Sequence, residues 1–175
     1  MATIDLIVLG MLKDQALSAY DIQKLVEYRN ISKWVKISTP SIYKKVIQIE
    51  EKGYILGNTV KEGKMPEKTI YTLTEAGKIE FEKLMLEISK QPIRIFLDFN
   101  AVIVNLDKLD CEARAECLSR IEGSVAQLKQ YLEENRQLKE NVPDIPETGL
   151  AVLQQQVILV QAIETWLASL KPANE

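Results

Sequence analysis

The sequence predicts a mainly α-helical protein with a small β-wing, divided into an N-terminal domain over residues 1–90 and a helical C-terminal domain over residues 91–175. Three observations carry this. Apolar residues recur at helical spacing over most of the chain. Between 54 and 73 that period gives way to β-branched and aromatic residues on either side of a Gly- and Pro-containing tip. Beyond Pro92 the pattern is helical almost to the end. With 46% hydrophobic and 27% charged residues over 175 positions, the chain has the material for a packed core.

Residues 3–13 form the first helix, with Ile4, Ile7, Val8, Met11 and Leu12 as its apolar positions. The run from Leu6 to Leu12 follows Asp5 and has no basic lead or small-residue cleavage site, and nowhere do about 18 apolar residues run together. It therefore reads as a core helix of a cytoplasmic protein with no membrane partner. Ser18 caps a second helix running to about Arg29, Asp21 taking the reciprocal position of a capping box. Tyr20, Ile22, Leu25 and Val26 supply its apolar side. NISKWVKI (30–37) then delivers the chain to Thr39 and Pro40, a cap followed by a first-turn proline. In the third helix Ile42, Val46 and Ile49 make one apolar stripe. The opposite side carries Ser41, Lys44 and Gln48, flanked by Tyr43 and Lys45. Gly53 ends it.

Tyr54–Val60 and Thr69–Leu73 then read as the strands of a hairpin whose tip, KEGKMPEK, holds Lys61, Lys64 and Lys68. Thr74 caps the next helix, which stops ahead of Pro92. Residues 93–106 are strongly apolar, and Asp110 caps a long helix from Cys111 to about Glu140, where Ile121, Val125, Leu128 and Leu132 form a short coiled-coil-like seam. After NVPDIPETG turns the chain back, a last helix from Leu150 to Leu170 carries two apolar rows. One holds Leu153, Val157, Val160 and Leu167; the other holds Val152, Leu159, Ile163, Trp166 and Leu170. One antiparallel neighbour covers one row, so a second copy of the chain is expected on the other. The expected dimer interface is Leu153, Val157, Val160, Ile163, Trp166, Leu167 and Leu170.

Composition excludes several chemistries. The chain has no histidine, which removes the Ser/His/Asp triad, the Cys/His dyad and the common zinc-ligand sets. It also lacks a phosphate-cradling Gly-rich loop, so no catalytic residue, metal or cofactor is expected. Cys111 and Cys117, six apart on one helix, point to different faces and cannot bridge each other, in keeping with a reducing compartment. The net charge of −3 hides a split: residues 1–78 hold 12 Lys/Arg against 9 Asp/Glu, and residues 79–175 hold 10 against 16. The basic end is the end with the hairpin.

Three helices, the third polar on its outer side, followed by a basic-tipped hairpin, is the order of a winged helix-turn-helix. In that arrangement the third helix enters the major groove and the ribbon lies along the DNA backbone. The same order fits a small α+β domain whose polar helix face merely meets water. The stretches LIVLGML (6–12), SAYDI (18–22), SIYKKVIQIEEKGYI (41–55) and YTLTEAGK (71–78) resemble, in order and spacing, the signature stretches of the PadR family of bacterial transcriptional regulators. The helical second half is similar to the longer-tailed subgroup, whose C-terminal helices make the dimer. The chain departs from the family pattern at Ala19, where Gly is usual, at Lys44, where many members have Pro, and at Ile47 and Gln48, where basic residues are common. Gly63-Lys64-Met65-Pro66 carries one lysine where the wing commonly has a basic pair.

The resemblance implies a homodimeric, sequence-specific DNA-binding regulator, a repressor, acting on an inverted-repeat operator in double-stranded DNA. Ser41 and Gln48 are expected at base edges, Gln because its amide pairs bidentately with adenine. Lys44, Lys45, Lys64 and Lys68 are expected at phosphates. Tyr43 either touches the DNA backbone or packs beside the second helix, and Thr39, explained by its cap, can also donate to a phosphate. The resemblance further implies a hydrophobic pocket for a small aromatic effector, with Trp34 and Trp166 as candidates. Packing accounts for Trp166 as well, and Trp34 can instead seat against the wing. The rival expectation is a small-molecule sensor or protein-interaction module using the winged helix as scaffold, motivated by the sparse wing and the acidic second half.

Overall fold

The computed structural model describes residues 2–35, 37, 41–61, 67–140, 142 and 145–170. The chain divides into two compact units, Met1–Arg94 and Ile95–Glu175, each with its own apolar core.

In the first unit the order is α1 (Ala2–Asp14), β1 (Leu17–Ser18), α2 (Ala19–Tyr28), a 3-10 turn at Ile31–Lys33, α3 (Ser41–Glu51), β2 (Ile55–Val60), β3 (Lys68–Leu73) and α4 (Glu75–Ser89). The caps are made as the sequence chemistry requires. The Ser18 backbone N–H and hydroxyl both donate to Asp21, at 3.1 and 2.7 Å, and the Asp21 N–H returns a bond to the Ser18 hydroxyl. Gly53, at φ +74°, closes α3 in the left-handed conformation that glycine adopts without strain. The Thr74 hydroxyl accepts from the Gly77 N–H and donates to the Gly53 and Tyr54 carbonyls, which joins the start of α4 to the turn after α3. Val8 and Leu9 of α1, Ile22 and Val26 of α2, and Ile42, Val46 and Ile49 of α3 are essentially fully buried and form the centre of the core. Burial of each such side chain contributes about 1.5–3 kcal/mol.

The sheet has three antiparallel strands in the order β1-β3-β2, one more than the hairpin the sequence predicts. β1 is two residues long, with Leu17 opposite Tyr71 and Ser18 opposite Ile70, so it closes the inner edge of β3 without any period of its own. β2 and β3 pair from Ile55 with Leu73 to Val60 with Lys68. The ribbon's outer strand is therefore β2. Tyr20 departs from expectation: it is 55% exposed, its ring lying under the Lys24 ammonium instead of in the core.

The second unit contains α5 (Asn100–Ile103), a 3-10 turn at Leu106–Lys108, α6 (Cys111–Glu140) and α7 (Glu147–Ser169). Residues 93–106 are less helical than their apolar pattern predicts: 92–97 have no regular structure and only Asn100–Ile103 completes an α-helical turn. Asp110 caps α6, its carboxylate accepting from the Ala113 N–H at 2.8 Å. α6 and α7 form a hairpin whose buried positions repeat every seven residues: Leu118, Val125 and Leu132 on α6, and Leu153, Val160 and Leu167 on α7. Leu128, expected in that seam, is exposed. Lys129 and Glu164 pair across the hairpin at 2.7 Å. Among the described residues no helix is long and apolar enough to cross a membrane.

This settles which row of α7 faces inward, and corrects the expected interface. Leu153, Val157, Val160 and Leu167 are buried against α6 of the same chain, with Ile163 and Leu170 partly buried beside them. Four of the residues expected to meet a second copy are thus inside the hairpin. The outward row keeps Leu159 and Trp166 exposed.

Candidate nucleic-acid interface

The outer face of α3 follows from its buried one. With Ile42, Val46 and Ile49 inward, helical geometry turns Tyr43, Lys44 and Ile47 to solvent, with Ser41 and Gln48 partly covered at the edge. Tyr43 is 44% exposed at the flank of this face. Lys44 is exposed and has no ion-pair partner among the described residues. Ile47, at 53% exposure, belongs to this face although it is not among the residues expected at DNA. The signal for it is its spacing, three residues after Lys44 on the same side. An exposed aliphatic group between polar neighbours matches the methyl group that thymine presents in the major groove.

Lys45 is corrected. Its ammonium lies 2.8 Å from the Asp5 carboxylate, and the two side chains are only 11% and 14% exposed. Lys52 approaches the same carboxylate at 3.8 Å. Lys45 therefore holds α3 against α1 and does not face outward; its Nζ also lies 3.5 Å from the Gln48 amide oxygen, which steadies that side chain.

Lys68, at the start of β3, is half-exposed and bonded to Asp21 at 2.8 Å. This bond is the main reason the Asp21 carboxyl is held below its ordinary value of 3.8; partial burial opposes the shift, and the hydrogen bonds from Ser18 add to it. Lys61, at the other side of the tip, pairs with Glu67 at 3.7 Å, both well exposed. Thr39 and Lys64, two further residues expected at DNA, lie outside the described residues. Of the others, the structure brings Ser41, Tyr43, Lys44 and Gln48 onto one helix face, places Lys68 at the tip end of the ribbon opposite Val60, and turns Lys45 inward.

The expected effector residues fall in different units. Trp34 follows the 3-10 turn of the first unit and is partly exposed. Trp166 stacks on Phe99 in the second, ring centroids 6.2 Å apart. Beside that pair an apolar cleft of about 450 Å³ is lined by Phe96, Phe99, Ile121, Leu128 and Ile163, with Arg120 at its edge. The Arg120 guanidinium is engaged by Glu116 at 2.6 Å.

A three-helix core that turns the polar side of its third helix outward, continued by an antiparallel ribbon, defines a winged-helix domain. The chain matches the model of the transcriptional regulator PadR-like family over residues 8–83. Over 86 residues it is 31% identical to the negative transcriptional regulator PadR of Bacillus subtilis (strain 168), a stretch amounting to 49% of this chain and 46% of the relative. That match thus spans about half of the relative's length. Among solved structures, Bacillus subtilis PadR in complex with operator DNA has a TM-score of 0.81 at 21% identity, covering 97% of this chain and 96% of that one. The same protein in complex with p-coumaric acid has a TM-score of 0.76 at 20% identity, covering 95% and 92%. At these identities the structural likeness is one of fold.

Proposed function

We propose that the protein is a sequence-specific DNA-binding transcriptional regulator, acting as a homodimer with one α3 in the major groove of each half of an inverted repeat. The observation that carries this reading is the outward face of α3. A hydroxyl, a phenol, an amide, an aliphatic group and an exposed lysine lie together on a helix backed by the most deeply buried part of the core. Gln48 and Ser41 read base edges, Ile47 meets a thymine methyl, and Lys44 with the ribbon lysines meets phosphates. The dimer is supported by the apolar row left open on α7, and its two-fold axis sets the half-sites about 10 bp apart or a multiple of that. Repression is supported by the name of the Bacillus subtilis relative, a negative regulator.

A small planar aromatic effector is supported by the cleft beside Phe99 and Trp166 and by the complex of Bacillus subtilis PadR with p-coumaric acid. The test of the function is competition binding at low salt between a duplex from the gene's own upstream region and random duplex of equal length. A regulator prefers its upstream region at least tenfold. Equal binding to both overturns the sequence-reading claim.

A further inference from the structure

We infer that Glu50 is a positioning residue that locks the ribbon to α3, so that helix and wing meet DNA as one reader; the inference rests on the DNA-binding reading above. Glu50 lies in the last turn of α3, where a negative charge is disfavoured by the helix dipole. Its carboxylate reaches out of the helix and accepts a hydrogen bond from the Gly57 N–H at 2.9 Å, in the middle of β2. β2 is the outer strand, so this N–H faces away from the sheet. The carboxylate thus occupies an edge position that otherwise meets only water, and fixes the direction in which the ribbon leaves the helix.

Gly57 is part of the device. A Cβ at this position would lie 2.6 Å from Glu50 Oε1, 2.8 Å from Thr69 Cγ2 and 2.9 Å from Tyr71 Cε1. Only a bare backbone lets the carboxylate approach the strand. Tyr71, opposite Gly57 in the register, is buried; burial above all, and the Glu50 charge after it, push its phenol up. Glu50 is therefore a carboxylate built into the join between the reading helix and the ribbon, on a domain whose partner is a polyanion. By charge alone it weakens DNA binding, and by position it strengthens it. The two effects have opposite signs, so substitution separates them.

The experiment compares Glu50→Gln, whose amide oxygen can still accept from Gly57, with Glu50→Ala, which cannot. Each full-length variant is titrated with a fluorescein-labelled random-sequence duplex and with the upstream duplex over a salt series, and amide hydrogen exchange is followed at Gly57. Glu50→Gln is expected to bind as tightly as the wild type or more tightly. Glu50→Ala is expected to bind about tenfold more weakly than Glu50→Gln. Its salt slope should fall by about 0.9 for each wing cation that disengages, and its Gly57 amide should exchange fast while that of the wild type stays protected. Gly57→Ala, which displaces the carboxylate sterically, should follow Glu50→Ala. Binding by Glu50→Ala as tight as by Glu50→Gln with the same slope overturns the positioning role, as does a Gly57 amide that exchanges equally fast in the wild type. A wild-type protein that binds neither duplex overturns the DNA reading and the reader role with it, while exchange at Gly57 still decides whether the lock exists.

Discussion

Replacing Lys45 and Lys44 one at a time separates packing from recognition in adjacent lysines. Lys45 Nζ lies 2.8 Å from Asp5, and both side chains are mostly shielded from water. Lys45→Ala leaves that carboxylate with Lys52 alone, at 3.8 Å and half-exposed. Removing one partner of a fully buried pair costs about 3–5 kcal/mol. Residual exposure and the remaining lysine bring the expected loss to about 1–3 kcal/mol, the range for a buried polar group left poorly matched. In a unit the size of Met1–Arg94 each kcal/mol moves Tm by about 4–8 °C, so Lys45→Ala melts roughly 5–20 °C lower. Lys44→Ala, at an exposed site without an ion pair among the described residues, changes stability by no more than about 0.5 kcal/mol. It flattens the dependence of log K on log salt by about 0.9 for each phosphate that the variant leaves unneutralised. Calorimetry gives the first quantity and fluorescence anisotropy on the upstream duplex, over a salt series, gives the second. A Lys45→Ala protein with unchanged Tm and a flattened salt slope refutes the assignment.

Because Lys68 holds the Asp21 carboxyl below 3.8, its contribution to stability is fully present above that pH and is lost as pH falls through the lower folded value; the urea midpoints of wild type and Asp21→Asn should therefore converge below about pH 4, and a gap independent of pH contradicts the pairing. Leu167, 1% exposed between α7 and α6, should lose about 2–5 kcal/mol of the second unit's stability on substitution by alanine, read by chemical denaturation. Leu159→Glu, on the outward row of the same helix, should leave the helical circular dichroism intact and yield monomers in sedimentation velocity; a dimer that persists in this variant places the interface elsewhere.

Local chemistry is legible in the sequence where one residue type does one job. Ser18 with Asp21, Thr74, Asp110 and Gly53 mark helix ends because their side chains, or the lack of one, satisfy backbone groups within a few residues. The stripe of Ile42, Val46 and Ile49 defines the inward face of α3 directly, and with it the outward one. What is not legible depends on partners far along the chain. Asp5 meets Lys45 from another helix, and no local pattern separates that lysine from Lys44 beside it. β1 is two residues long, too short to show alternation, and exists because β3 has a second edge to pair. The two rows of α7 are almost equally apolar, so only the position of α6 decides which is inside. Ile47 escapes a reading by polarity because an apolar residue on a polar face looks like an exception, whereas a duplex with thymine methyl groups offers it a partner.

Entry of α3 into the major groove is tested by dimethyl sulfate footprinting on the upstream duplex, since methylation at guanine N7 reports the floor of that groove. Protection is expected in two symmetry-related patches about 10 bp apart or a multiple of that, both abolished in a Gln48→Ala, Ile47→Ala double variant whose melting temperature is unchanged. Full protein occupancy of the duplex with no change in guanine methylation would contradict this placement, because the helix would then not be in the groove.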